Sequence, residues 1–227
     1  VRLLAARPLR LAAGTAPRLT PAEARRAIVE LIVSLPTYRT YVDRHNPGGT
    51  PEDRRILADA LAAARSRGRA TASALDQLEA VLLGEPGAEA ERERLRLRFL
   101  QRLQQLSGPA MAKGVEDTAF YACVPLLSLN EVGGSASLDA RDPVASFHAA
   151  NELRARQWPG TMLAVTTHDT KRTADVRSRL DVLSEMPAEW EERVYRWRKW
   201  NRPHQRRTPA GSVPDANTVY LLFQTLV

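Results

Sequence analysis

One cysteine, Cys123, is all that 227 residues contain, which excludes an internal disulfide framework and any metal site built on paired cysteines. A reducing, cytoplasmic setting is the expectation. Long apolar runs are missing as well. No uninterrupted stretch approaches the ~20 residues that a membrane span needs, and in the opening VRLLAARPLRLAAG arginines break every short apolar run, so no signal peptide is read there. The net charge of +7 invites nucleic acid, yet the arginines are scattered along helical patterns instead of collected in one block. Neither a nucleic-acid nor a membrane partner is expected, and no cofactor. Because the sequence starts at Val1 and ends at Leu226-Val227 inside an apolar, helix-like run, a piece of a longer protein is expected.

What is present is mostly helical pattern. Thr20-Pro21 followed by AEARRAIVELIVSL supplies a threonine cap, a proline at the first helical position and apolar residues at helical spacing. TYRTYV, residues 37–42, is β-branched and aromatic and predicts a short strand, with DRHNPGG as the following loop. Thr50-Pro51-Glu52-Asp53 repeats the capping signature, and helices are predicted to Gly68, over Thr71 to Leu83, and over Ala88 to Leu106, ended by Ser107-Gly108-Pro109. Further on, a loop or short strand is expected to Gly114, then a helical piece from near Glu116, a glycine turn at Gly133-Gly134 and a helix opened by Asp142-Pro143. After the strand MLAVTT come helices over Thr173 to Met186, Pro187 to Trp200 and Asp215 to Val227. Alternating helix, strand and helix is the βα unit of a parallel sheet or barrel. The expected organisation is an N-terminal piece over 1–49, a helical insertion over 50–108, and a βα segment over 109–227.

The run TMLAVTTHDTKR ends an apolar strand on His168 and Asp169. In parallel α/β folds the carboxyl ends of strands collect polar groups from loops and helix starts, and chemistry sits there. Two readings of the pair stand on spacing alone. Asp169 is either a helix cap beside a structural histidine, or a reacting carboxylate.

GPAMAKGVEDTAFY, LLSLNEVGG, FHAAN, TMLAVTTHDTKRTADVRSRL and YLLFQTL, in that order, closely resemble the C-terminal half of the maltooligosyltrehalose synthases, a branch of the α-amylase family of glycoside hydrolases. LPTYRTYV resembles an earlier run of the same family. The resemblance covers about Leu31 to Val227, interrupted by the helical block. It implies an α/β fold, here a partial (β/α)8 barrel, mostly helical, with an α-helical insertion. It implies a maltooligosaccharide substrate whose reducing-end α-1,4 bond is converted to an α,α-1,1 bond by intramolecular transglycosylation, and functional coupling to an enzyme that hydrolyses the product. It assigns Asp169, at the end of the seventh strand, as the transition-state stabiliser, and His168 as its substrate-binding neighbour. Lys113 then becomes a donor to glucose hydroxyls, Phe120 or Tyr121 an apolar wall, and Lys171 and Arg172 substrate-side cations. The family's nucleophile and acid lie on strands four and five, N-terminal to everything matched here, so this segment alone is expected to be inactive.

Ala122-Cys123-Val124-Pro125 departs from the family, which has an arginine and an aromatic after the tyrosine. Trp190, Val194 and Trp197 fall on one helical face and predict packing, and His148 is read as structural. Two rivals are carried forward. One is a metal-dependent His-Asp phosphohydrolase using His148, His168, Asp169 and Asp175 or Asp181; the other is a basic helical binding module presenting the Thr50 to Leu106 block.

Overall fold

The computed structural model describes residues 19–85, 89–134 and 142–227. The opening apolar-arginine stretch and the Pro86-Gly87-Ala88 break between helices lie outside them. The chain divides into two compact units, Val1–Gly114 and Val115–Val227.

In the first unit, α1 (Pro21–Ser34), α2 (Pro51–Ser66), α3 (Ala72–Leu83) and α4 (Ala90–Met111) surround one core. The Thr-Pro starts behave as their chemistry dictates. The Thr20 hydroxyl accepts from the Glu23 N–H while the Glu23 carboxylate accepts from the Thr20 N–H, and Thr50 and Asp53 repeat the reciprocal pair on α2. Each box satisfies two amides that a helix start otherwise leaves unpaired. Ile28 and Leu31 of α1 meet Leu57 and Leu61 of α2, Leu75 and Leu78 of α3, and Phe99 and Leu100 of α4 in a fully buried cluster.

The segment TYRTYV is not a strand of any sheet; it bends at Thr37-Tyr38 and has no regular structure after that. Its backbone pairs with side chains instead. The Val42 N–H donates to Gln104 Oε1 at 2.8 Å, Gln104 Nε2 donates to the Val42 carbonyl at 2.9 Å, the Thr40 hydroxyl donates to the same Oε1 at 2.9 Å, and the Tyr41 N–H donates to Asp53 Oδ1 at 2.8 Å. One buried glutamine amide thus supplies the donor and acceptor that a neighbouring strand would have offered.

Nor does α4 end at Ser107-Gly108-Pro109. It runs through Pro109 to Met111, widens into π-helical turns over Ala112–Ala119, and finishes as α-helix over Phe120–Ala122. The expected loop or short strand before Gly114 is therefore helix. A wide turn leaves room where a proline has removed a backbone donor, and such bulges recur at functional sites.

In the second unit a short 3-10 turn, Leu127–Leu129, precedes α5 (Pro143–Gln157), α6 (Ala174–Glu185), α7 (Pro187–Asn201) and α8 (Ala216–Thr225). Between α7 and α8 lies a hairpin, β1 (Arg206–Thr208) antiparallel to β2 (Gly211–Val213). These two are the strands among the described residues. MLAVTT, expected as a buried strand, is irregular and exposed, with a bend at Val165-Thr166 and Met162 96% accessible. The mostly helical character holds; among the described residues no parallel sheet is formed. A lone strand has no ladder to satisfy its backbone and no independent stability.

The second core is small: Val124, Leu127, Leu180 and Leu183, with Trp190, Tyr220 and Leu221 packed on it. The face of α7 expected to be buried is half-buried, and its tryptophans do pack. Trp190 and Trp197 meet edge to face at 5.7 Å, Trp197 meets Phe223 at 5.4 Å, and the Trp190 indole N–H donates to the Tyr220 hydroxyl at 3.1 Å. Gln224, buried on α8, accepts from the Leu127 N–H at 2.9 Å and donates to the Val124 carbonyl at 2.8 Å. Gln224→Leu should orphan both groups and cost about 2–3 kcal/mol. Because all four tryptophans lie in this unit, urea unfolding followed by their fluorescence reads the change, and an unmoved midpoint would contradict it. Among the described residues no helix is long and apolar enough to cross a membrane.

Candidate functional site

His168 and Asp169 are the two central residues of a tight turn. The Thr170 N–H donates to the Thr167 carbonyl at 3.3 Å, the Thr170 hydroxyl donates to that carbonyl at 2.8 Å, and the Thr167 N–H donates to the Thr170 hydroxyl at 3.2 Å. Both side chains between are exposed, and neither is engaged in a hydrogen bond among the described residues. The capping alternative for Asp169 is set aside, since the cap position of α6 is Thr173 and the hydroxyl that reaches the Ala174 N–H is that of Thr166, at 3.3 Å. Asp169 is held out, not consumed by the helix behind it.

Three quoted strings meet around this turn. From LNEVGG, Glu131 accepts from the Lys171 N–H at 2.6 Å and the Arg172 N–H at 3.3 Å. From AKGVEDTAFY, Asp117 takes the Lys171 ammonium at 2.8 Å, and buried Glu116 accepts from the Gly133 N–H at 3.4 Å. Asn130, also buried, donates to the carbonyls of Phe120 and Cys123 at 2.6 and 2.8 Å and so satisfies the end of the long helix. The Arg177 guanidinium donates to the Val165 carbonyl, tying the exposed segment to α6. YLLFQTL joins the assembly through Gln224.

Electrostatics follow the contacts. Burial pushes the Glu131 carboxyl upward, but the amides of Lys171, Val132 and Arg172 outweigh it and hold the group below its ordinary value. Lys171 is raised, first by its hydrogen bond to Asp117 and then by the fields of Asp117, Asp169 and Glu116. That ammonium is paired with Asp117 and lies within the field of Asp169. Asp169 thus faces solvent with a cation two residues away.

The other expected site residues divide. Arg172 is half-buried beside the Glu131 clasp. Tyr121 is 52% exposed, whereas Phe120 is 2% exposed and packs inside, so of the two expected rings the tyrosine is the one left accessible. Lys113 is exposed on the wide helical turn of the first unit. FHAAN lies on α5, a helix without a buried residue, and His148 is exposed, edge-on to Phe147 at 5.5 Å; the structural role expected of it is not seen. In the departing stretch, Val124 is core and its carbonyl binds Gln224, while the Pro125 carbonyl accepts from the Tyr220 hydroxyl at 3.2 Å. Those residues serve packing.

Glu131, Asn130 and Gln224 carried no assignment from the sequence. The one available signal was their membership of the quoted strings, and it says nothing about partners. The rival metal reading required four donors to converge, and no group of three His, Cys, Asp or Glu residues able to hold a metal occurs among the described residues; His168 and Asp169 sit on a turn, not on the helix that reading needs.

No family model matches the chain. Proteins of two Mycobacterium tuberculosis strains assigned as maltooligosyl trehalose synthases are each 44% identical to it over 125 residues, 55% of this chain. The chain is similar to one segment of the maltooligosyltrehalose synthases. It spans 15% of the length of those curated relatives. Among solved structures, the maltooligosyltrehalose synthase of Arthrobacter ramosus superposes with a TM-score of 0.64 at 38% identity, covering 86% of this chain and 22% of that one. A hypothetical maltooligosyl trehalose synthase of Sulfolobus tokodaii gives 0.57 at 27% identity, covering 88% and 23%.

Proposed function

We propose that this chain is the part of a maltooligosyltrehalose-forming enzyme that carries its transition-state carboxylate. The observation that supports this reading is the exposed His168-Asp169 turn, clasped from behind by Glu131 of a second string shared with that enzyme family. Cleavage of a glycosidic bond passes through an oxocarbenium-like state with positive charge at the anomeric carbon. A fixed carboxylate beside that carbon is favoured more as the charge develops, which is differential stabilisation and not mere binding. His168 adds a hydrogen bond to a sugar hydroxyl without further negative charge.

In this reading the substrate is a maltooligosaccharide. The α-1,4 bond at its reducing end is broken, the freed glucose turns in its subsite, and its anomeric hydroxyl closes the α,α-1,1 bond. Tyr121 lines that subsite, Lys171 and Arg172 flank the carboxylate, and within the longer polypeptide MLAVTT pairs as the seventh strand of a (β/α)8 barrel. The exposed apolar side chains of Met162, Leu163 and Val165 fit a strand that gains neighbours. Retaining chemistry needs two more carboxylates about 5 Å apart, which the reading draws from the remainder of a longer, cytoplasmic polypeptide. A second enzyme that hydrolyses the α,α-linked product would complete trehalose formation.

The test is product chemistry. The longer enzyme that carries this segment, given maltopentaose, should remove reducing ends without releasing free glucose, and the present chain alone should change nothing. Release of glucose and maltose as the main products would contradict transfer and point to ordinary hydrolysis.

A further inference from the structure

We infer that Glu131 is the positioning residue of the Asp169 turn, an inference that rests on the function proposed above. The turn is closed on itself by Thr167 and Thr170, which fixes its shape but not its place. Behind it, Thr166 ties the segment to the first amide of α6. Ahead of it, the two amides that follow Thr170 both point at a single carboxylate, Glu131 Oε1 to Lys171 at 2.6 Å and Oε2 to Arg172 at 3.3 Å, across forty positions of sequence.

The same Oε1 accepts from its own neighbour, the Val132 N–H, at 3.0 Å, so the carboxylate is oriented by the loop that presents it. That loop is in turn anchored. Asn130 holds it to Phe120 and Cys123, and Glu116 holds Gly133. A chain of contacts therefore runs from the buried end of the long helix, through Asn130 and Glu131, to the residue two places beyond Asp169. The Asp117 grip on the Lys171 ammonium secures the side chain of the same residue whose backbone Glu131 takes.

Glu131 touches no reacting atom in this arrangement; its effect passes through the backbone. Displacing a catalytic group by about 1 Å is enough to cost on the order of 10²-fold in rate, while substrate contacts made elsewhere are left alone. Glu131→Ala in the longer enzyme should therefore lower kcat by ~10–100-fold and change KM by less than ~3-fold. Glu131→Gln keeps one acceptor oxygen for Lys171 and Val132 but turns an amide donor toward Arg172, and should fall between alanine and wild type. In the present chain, Glu131→Ala should speed hydrogen exchange at the Lys171 and Arg172 amides by ~10-fold or more, with the tryptophan-detected unfolding midpoint unchanged.

A kcat within twofold of wild type for Glu131→Ala overturns the inference, as does unchanged exchange at both amides. So does a loss in which kcat, KM and the unfolding midpoint all move together, since that marks a residue needed only for folding. If the wild-type enzyme makes no α,α-linked product, it is the functional reading that fails, and the exchange measurement still decides whether Glu131 sets the turn.

Discussion

Asp169→Asn in the longer enzyme is expected to lower kcat about 10³-fold, close to 4 kcal/mol of transition-state stabilisation. Asparagine keeps the size and one acceptor of aspartate but removes the negative charge, so it isolates the interaction with the developing sugar cation. Two features of the structure sharpen the expectation. Asp169 is exposed and engaged in no hydrogen bond among the described residues, so the substitution leaves no buried group unsatisfied and the unfolding midpoint should not move. Lys171, whose ammonium is raised in part by Asp169 but chiefly by Asp117, remains paired, so the turn keeps its anchor. Loss of reducing ends from maltopentaose measures the rate, and KM should change little if the effect belongs to the transition state. A variant within tenfold of wild-type kcat would remove Asp169 from the catalytic role.

Gln104→Leu should destabilise the first unit by roughly 3–4 kcal/mol. Its amide serves Val42 on both backbone atoms and the Thr40 hydroxyl, all buried. Leucine fills a similar volume and offers none of the three, so Val42 would carry an unpaired N–H and carbonyl in the interior. The measurement uses the uneven distribution of tryptophan. Far-ultraviolet circular dichroism reports both units and tryptophan fluorescence only the second, so the helical signal should melt earlier while the fluorescence midpoint stays put. A shift below about 1 kcal/mol would mean that the segment finds other partners, water included.

Local chemistry made the helices legible. Threonine followed by proline and an acid three places on can be satisfied within one turn, and both expected threonine caps formed, each as a reciprocal box. The packing face of α7 was equally readable, since Trp190, Val194 and Trp197 sit at helical spacing. Where the expectation failed, the deciding partner was distant. Residues 37–42 and 162–167 have strand composition, but a strand is a relation between segments, and here the relation is with Gln104, Asp53 and Arg177 instead of with another strand. The helix through Gly108-Pro109 failed for a related reason. Proline removes a donor and ordinarily marks a helix end, yet the helix continues through it and widens over Ala112–Ala119, which no local pattern announces.

His168 and Asp169 were legible as a pair worth notice because an apolar run ended on them, though not as a turn and not with Asp169 freed from capping. Phe120 and Tyr121, neighbours in sequence, went opposite ways, one inward and one outward. Composition, caps and helical spacing by themselves determined a largely helical chain without disulfides or a membrane-spanning helix among its described residues, together with the strings that tie it to one enzyme family. Only the tertiary structure decided which amides close on Glu131, Gln104 and Gln224 and which side chains are left facing solvent. The physical reason is range: a cap is satisfied over three residues, whereas these contacts span 40 to 100 positions, and a buried polar group names its requirement in the sequence without naming the partner that meets it.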